Sequence, residues 1–318
     1  MTTDKNDNQI EIIPSSEEPK PLIPATRDTI IHYLFGSVGN EDILRDFINA
    51  VLENDNLPLL RSVEMRNPFN PQKFITDKYT ILDVKATSLT GEIFVVEFQR
   101  GDHPAFAERM LYYCCKTYSS QMSQGDEYTK LLPVIGIAVT TFIVEQIHDL
   151  PGIHNSFYLC SKQNHKVVFS DRMQMHVIEV VKEKIHLLNQ LKPQLRGWVQ
   201  FFYYAHQLSE VEMQTIIQDN PALQRAYEEY RRFNNDDEKR ALDEAHQQYL
   251  HDVATKVEAG EIKGKMNMLM AILQARFNEV PSAIIESLEQ RTDVIAFDSL
   301  GVLAATCSSL DEFAEALK

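Results

Sequence analysis

The stretch that decides the fold runs from Tyr79 to Arg100 and reads YTILDVKATSLTGEIFVVEFQR. Two runs rich in β-branched and aromatic residues, Tyr79–Thr87 and Glu92–Arg100, flank the turn-forming segment Ser88–Gly91. Such runs favour strands, and a short glycine-ended turn between them makes a hairpin. Asp83 interrupts the first apolar run, and Glu97 interrupts FVVEF in the second. A carboxylate among strand-core residues is costly unless it is paired or binds a cation. Side chains alternate along a strand, so Glu97 and Gln99 share one face, as do Asp83 and Lys85. With the turn near Thr90-Gly91, Asp83 and the Glu97–Gln99 segment stand at similar distances from it. Their polar groups would then cluster on one sheet face. Two carboxylates and a backbone carbonyl make an oxygen-rich set suited to Mg2+. Such a cation lowers the pKa of a bound water and stabilises charge on a phosphodiester. The same spacing also fits exposed acids on a half-solvated strand, or ion pairs with Lys85 and Arg100.

Outward from the hairpin, the N-terminal side reads as helix. Ile30, Ile31, Leu34 and Phe35, then Ile43, Leu44, Phe47, Ile48 and Val51, recur at helical spacing, with Gly36 and Gly39 between them. That predicts two helices joined by a bend, with Asp28 in or capping the first turn. Residues 1–26 hold four prolines and many polar groups and read as a disordered leader. On the C-terminal side, Pro104–Gln124 predicts a long helix in which Tyr112, Tyr113 and Tyr118 pack on the sheet. The apolar run Leu131–Thr141 predicts a buried strand. Shorter strands are expected at Ser156–Cys160, Lys166–Phe169 and Met175–Val181. From about Leu187 the chain reads as successive helices. Glu228–Lys256 is long and charged, Gly260 and Gly264 break it, and Pro281–Leu317 forms a small helical tail. The order implies an α/β core followed by a helical region.

Composition excludes several classes. The chain has 318 residues with a net charge of −15, which argues against a basic nucleic-acid coat protein. The charge is uneven: residues 27–150 carry −6, residues 151–200 carry +4 and residues 201–318 carry −10. The four cysteines form no CxxC pair, which points to a reduced, cytoplasmic chain rather than a disulfide scaffold. The N-terminal residues do not read as a signal peptide and no stretch reads as a membrane span. There is no HExxH zinc motif, no Gly-rich phosphate loop and no GxSxG elbow.

Several segments together resemble the PD-(D/E)XK nuclease family transposases, the recombination-promoting nucleases. Asp28 with Leu34-Phe35-Gly36, then Leu44, Phe47-Ile48-Asn49-Ala50 and Leu52, is similar to the family's opening pattern. ILDVKAT…GEIFVVEFQ resembles its core motif, with Phe98 where Met is usual. ERMLYYCCKTYSSQMSQGDEYTKLLPVIGIAV resembles its following signature, and the tail after Met266 is similar to a small helical domain often appended. The resemblance covers roughly residues 27–318.

The resemblance implies a restriction-endonuclease-like core, a mixed central sheet flanked by helices, followed by a helical C-terminal region. It implies a nuclease-like domain over 27–205, a charged helical region over 206–265 and a helical tail module over 266–318. Carried onto this sequence, Asp83 and Glu97 are the metal-binding acids, and the main-chain carbonyl of Phe98 is a third ligand to Mg2+ or Mn2+. Gln99 stands where the wider superfamily has Lys; a Gln can orient groups only by hydrogen bonds. Lys85 would supply the missing charge from the neighbouring strand. Asp28 would approach the metal through water. Arg109, Lys116 and Gln121 on the following helix would reach DNA phosphates. The implied activity is Mg2+-dependent cleavage of DNA; the alternative is a degenerate nuclease fold that binds DNA or protein. Self-association through the C-terminal helices would make a homodimer that cuts both strands.

Overall fold

The computed structural model describes residues 20–66, 84–101, 105–291 and 293–317, with the backbone alone at 294 and 295. Among them, six strands form one mixed sheet: β1 (Val63–Met65), β2 (Val84–Ser88), β3 (Ile93–Gln99), β4 (Val134–Thr140), β5 (His154–Cys160) and β6 (Val168–Glu179). Their spatial order is β1-β2-β3-β4-β6-β5. β2 and β3 form the expected antiparallel hairpin, with Val84 opposite Val96 and Lys85 opposite Val95. β3, β4 and β6 run parallel, so Glu97, Ala138 and Val177 form one row and Gln99, Thr140 and Glu179 the next. The hairpin turn needs its glycine twice over. Gly91 has φ +97°, and a Cβ there would crowd the Leu132 side chain.

One face of the sheet is covered by helices from both ends of the first compact unit, which extends to Arg240. These are α1 (Asp28–Gly36) and α2 (Glu41–Asn54), then, beyond α3 (Phe106–Ser119) and the single turn α4 (Ile185–Leu188), α5 (Pro193–Tyr204), α6 (Glu210–Ile217) and α7 (Pro221–Asn234). α6 starts on a capping box between Ser209 and Glu212, and α7 starts on Asn220 with Pro221 in its first turn. The layer is held by rings. Phe98 of β3 lies 5.1 Å from Phe202, 5.7 Å from Phe35 and 6.0 Å from Phe47, and Trp198 joins the same cluster. The Trp198 indole donates to Asp46 at 2.9 Å, satisfying its one polar atom. Ile23 and Ala25, in the segment read from sequence as leader, are buried in this core.

Under the end of α2 this face carries two stacked histidines, with ring centroids 5.2 Å apart. Asn54 accepts from the Lys192 amide through Oδ1, so its NH2 donates to His154 Nδ1 at 2.8 Å. His154 Nε2 then carries the proton and donates to His176 Nδ1 at 3.0 Å. His176 is fully buried, and its Nε2 has no hydrogen-bond partner among the described residues. Burial, reinforced by His154 and opposed by Asp55, lowers its pKa from 6.5 to about 4.

The opposite face is covered by α3. Phe106, Met110 and Cys114 pack on Val95, Val134, Ala138 and Val177. The approach is close because Gly136 lacks a side chain: a Cβ there would meet Met110 Cε at 2.5 Å and Cys114 Sγ at 2.7 Å. Burial pushes the Cys114 thiol up to about 12, so it packs as a neutral group. Tyr112, expected to pack on the sheet, is instead 58% exposed, because Met110, Cys114 and Thr117 hold the inward stripe.

Two further expectations are corrected. The strand pieces at 166–169 and 175–181 are one strand, β6. Its polar Ser170-Asp171-Arg172 segment pairs with β5 through register shifts at Tyr158–Cys160. The glycines at 260 and 264 do not break a helix: α8 runs unbroken from Asp237 to Phe277. Each glycine costs roughly 1 kcal/mol there, a penalty a helix of 41 residues tolerates. The second compact unit begins at Ala241. In it, the end of α8, α9 (Ser282–Glu289), α10 (Val294–Thr306) and α11 (Leu310–Glu315) enclose a core of Leu269, Leu273, Leu288, Phe297 and Phe313. Arg276 closes the end of α10 by donating to Ala304 O at 2.6 Å and Cys307 O at 2.7 Å.

Candidate active site

Alternation along β3 sorts the FVVEFQ segment onto the two faces. Phe94, Val96 and Phe98 enter the aromatic core, while Val95, Glu97 and Gln99 face α3. Glu97 is 4% exposed, so the carboxylate read as buried within FVVEF is buried. Val84, the residue after Asp83, pairs with Val96, the residue before Glu97. Asp83 itself lies outside the described residues.

Arg109, in the first turns of α3, reaches back onto this strand. Its Nη2 contacts Glu97 Oε1 and donates to Gln99 Oε1 at 2.8 Å. The Gln99 amide nitrogen donates to Gly101 O at 3.1 Å, which fixes the amide with its oxygen toward Arg109. Glu97, Gln99 and Arg109 are thus one cluster. Burial raises the pKa of Tyr113, one turn along the helix, with Arg109 acting against that and Glu97 with it.

The other expected residues take separate places. Phe98 sits with its side chain in the aromatic core. Lys85 is half-buried opposite Val95, and so on the face that carries Glu97. Asp28 is the first residue of α1, with Arg27 at the N-cap position. Lys116, on α3, is exposed, its ammonium 5.8 Å from the Tyr112 ring centre. Gln121 does not point to solvent: its amide donates to Leu132 O at 2.9 Å and accepts from Leu132 N at 2.9 Å. That pair of bonds clamps the loop before β4, the same Leu132 that lies over Gly91.

A second buried carboxylate lies on the same sheet face. Glu179 is fully buried, and its two oxygens accept from Val144 N at 2.9 Å, Lys182 Nζ at 2.6 Å and Asn155 Nδ2 at 3.4 Å. Sequence reasoning passed over it. Yet it sits in VIEVV, an apolar run with one acid, the signal that singled out Glu97.

The donor chemistry suits a hard divalent cation in part. Glu97 supplies a buried carboxylate, the ligand type Mg2+ takes. Among the described residues no group of three or more His, Cys, Asp or Glu side chains is placed to hold a metal. A complete oxygen set around Glu97 therefore calls on Asp83 and the backbone. No helix among the described residues is long and apolar enough to cross a membrane.

Neither the curated proteins nor the solved structures match the chain significantly. The model of the PD-(D/E)XK nuclease family transposases matches residues 26–260, spanning the sheet, both of its helical layers and part of α8. With an acid and a Gln two residues apart on the central strand of a mixed sheet, and a match over most of its length, the chain belongs to the PD-(D/E)XK nuclease family transposases.

Proposed function

We propose that this chain is a metal-dependent DNA endonuclease of the recombination-promoting type, with its reaction centre on β3. A nuclease or transposase-like function follows from the family; the metal, the residues and the reaction are the proposal. The observation that carries it is Glu97, a carboxylate buried on the sheet face beside Gln99 and one residue beyond the Val84–Val96 pair. Asp83, Glu97 and the Phe98 carbonyl would hold Mg2+ or Mn2+. Bound there, the cation would lower the pKa of a water and stabilise charge on a DNA phosphate. Glu97 is aimed by its neighbour, since Phe98 is packed against three rings, Phe35, Phe47 and Phe202, and fixes the strand. Gln99 orients the attacking water or the phosphate through its amide. Lys85 adds positive charge from β2, and Asp28 acts through water. Lys116 presents a cation along α3 toward the DNA backbone, and Arg109 stands on the same helix between the reaction centre and that surface. Phosphate contacts of this kind position DNA without reading its sequence.

The test is plasmid nicking with Mg2+ by wild type, Asp83→Ala and Glu97→Ala. Loss in both variants with wild-type cleavage supports the assignment. Equal activity in all three overturns it, and no cleavage or metal binding by any of them points to a binding module on a nuclease fold.

A further inference from the structure

Arg109 touches both polar side chains that β3 presents to α3, and the form of that contact carries an inference about how a cation would enter. The inference rests on the metal reading of Glu97. The strong Arg–carboxylate contact is a fork, with two N–H groups on two oxygens. Here one nitrogen, Nη2, serves both Glu97 and Gln99. The Nε of the same guanidinium is buried with no hydrogen-bond partner among the described residues. A buried donor left unsatisfied carries a penalty, so the grip is weaker than a guanidinium can make. A guanidinium and a divalent cation on one carboxylate would stand within a few ångströms of each other and repel. The two therefore compete for Glu97.

The helix itself is packed close against the sheet. Met110 and Cys114 on either side of the next turn are seated over Gly136, where not even a Cβ fits. The side chain has an exit, because 33% of the Arg109 side chain is exposed. Rotation about its own bonds carries the guanidinium outward with no backbone change.

We propose that Arg109 is an internal counter-ion for Glu97 that is displaced when the divalent cation binds, and that the released guanidinium then serves substrate phosphate. Before the metal arrives, Arg109 neutralises Glu97 and holds Gln99 on the same face. Afterwards it stands free on the helix that also carries Lys116, and phosphate is a ligand that its planar fork suits. Arg109 is thus a positioning residue in one state and a phosphate contact in the other.

Calorimetric titration of the full chain with Mn2+ tests the competition. Arg109→Met removes the competing charge and keeps the stem, so Mn2+ should bind more tightly, on the order of ten-fold, as expected when a charge-assisted bond is removed. Arg109→Lys should stay near wild type. Equal or weaker Mn2+ binding by Arg109→Met overturns the proposal and makes Arg109 a fixed brace. Failure of the underlying metal reading looks different: Glu97→Gln would then bind Mn2+ as wild type does, or wild type would bind none. A second measurement needs no variant. Phenylglyoxal labelling of wild type, mapped to Arg109 by mass spectrometry, should rise when Mn2+ is added. Unchanged labelling overturns displacement.

Discussion

The two faces of the central sheet are built on opposite principles. Toward α1, α2 and α5–α7, β3 offers Phe94, Val96 and Phe98 to a layer of interlocked rings. Toward α3 it offers Val95, Glu97 and Gln99, and the covering layer is one helix laid close over Gly136. Around β3 the first face is apolar and heavily packed; the second places charge where burial makes charge reactive. Within that second face the contrast repeats. Glu179 accepts from a backbone amide, an amide side chain and a lysine, all of which serve the loop after β4. Glu97 meets a guanidinium nitrogen that it shares with Gln99. A buried acid surrounded by fixed donors holds structure, whereas one held by a movable cation is suited to exchange it for another.

Four measurements test this contrast. The largest effect belongs to the aromatic face. Phe202→Ala leaves a cavity among Phe35, Phe47, Phe98 and Trp198, and unfolding in urea should show a loss of about 4 kcal/mol. A loss under about 1 kcal/mol would mean the ring layer is not the main support of β3. Glu179→Ala comes next. It leaves the nearly buried Lys182 ammonium with the Leu150 carbonyl but no counter-charge, removes the acceptor of the Val144 amide, and should cost about 3 kcal/mol in the same assay.

The third is a pH effect on the aromatic face. His176 is neutral when folded, with a pKa of about 4 against an ordinary 6.5. Between those values the unfolded chain binds a proton that the folded chain refuses. Stability should therefore fall as pH drops from 6.5 toward 4, by roughly 3 kcal/mol, and level off below. His176→Gln should flatten that part of the curve of melting temperature against pH; an unchanged curve assigns the acid sensitivity elsewhere. The smallest stability effect belongs to Glu97→Gln, within about 1 kcal/mol of wild type because a neutral amide still fits beside Arg109. Nicking activity should vanish in the same variant. A large loss of stability there would move Glu97 into the class of Glu179.

Much of this arrangement was legible in the chain. The hairpin followed from β-branched runs around a glycine turn, and the burial of Glu97 from one acid in an apolar run. Period-two alternation placed Glu97 and Gln99 together. What was not legible depended on three-dimensional approach. Arg109 stands twelve and ten residues from its two partners, and only the notch at Gly136 brings α3 near enough to turn it inward. Gln121 resembled any exposed amide until the loop at Leu132 folded back onto it. The glycines at 260 and 264 looked like breaks because propensity is local, while a helix is stabilised along its whole length. Both histidines of the buried pair lie in ordinary strand sequence, and nothing in their spacing marks them as partners.

Adjacent residues 97 and 98 hold opposite offices, and this makes the strand self-checking. Sliding β3 by one position would drive a carboxylate into the ring cluster and lift a phenyl group onto the polar face. Neither half-error can persist, because each is penalised by the layer that receives it. The turn from Ser88 to Glu92 is therefore locked in length by chemistry several residues away. Insertions of a single residue there should be lethal to folding before they are lethal to activity. In effect, the aromatic layer proofreads the address at which the reactive acid is delivered.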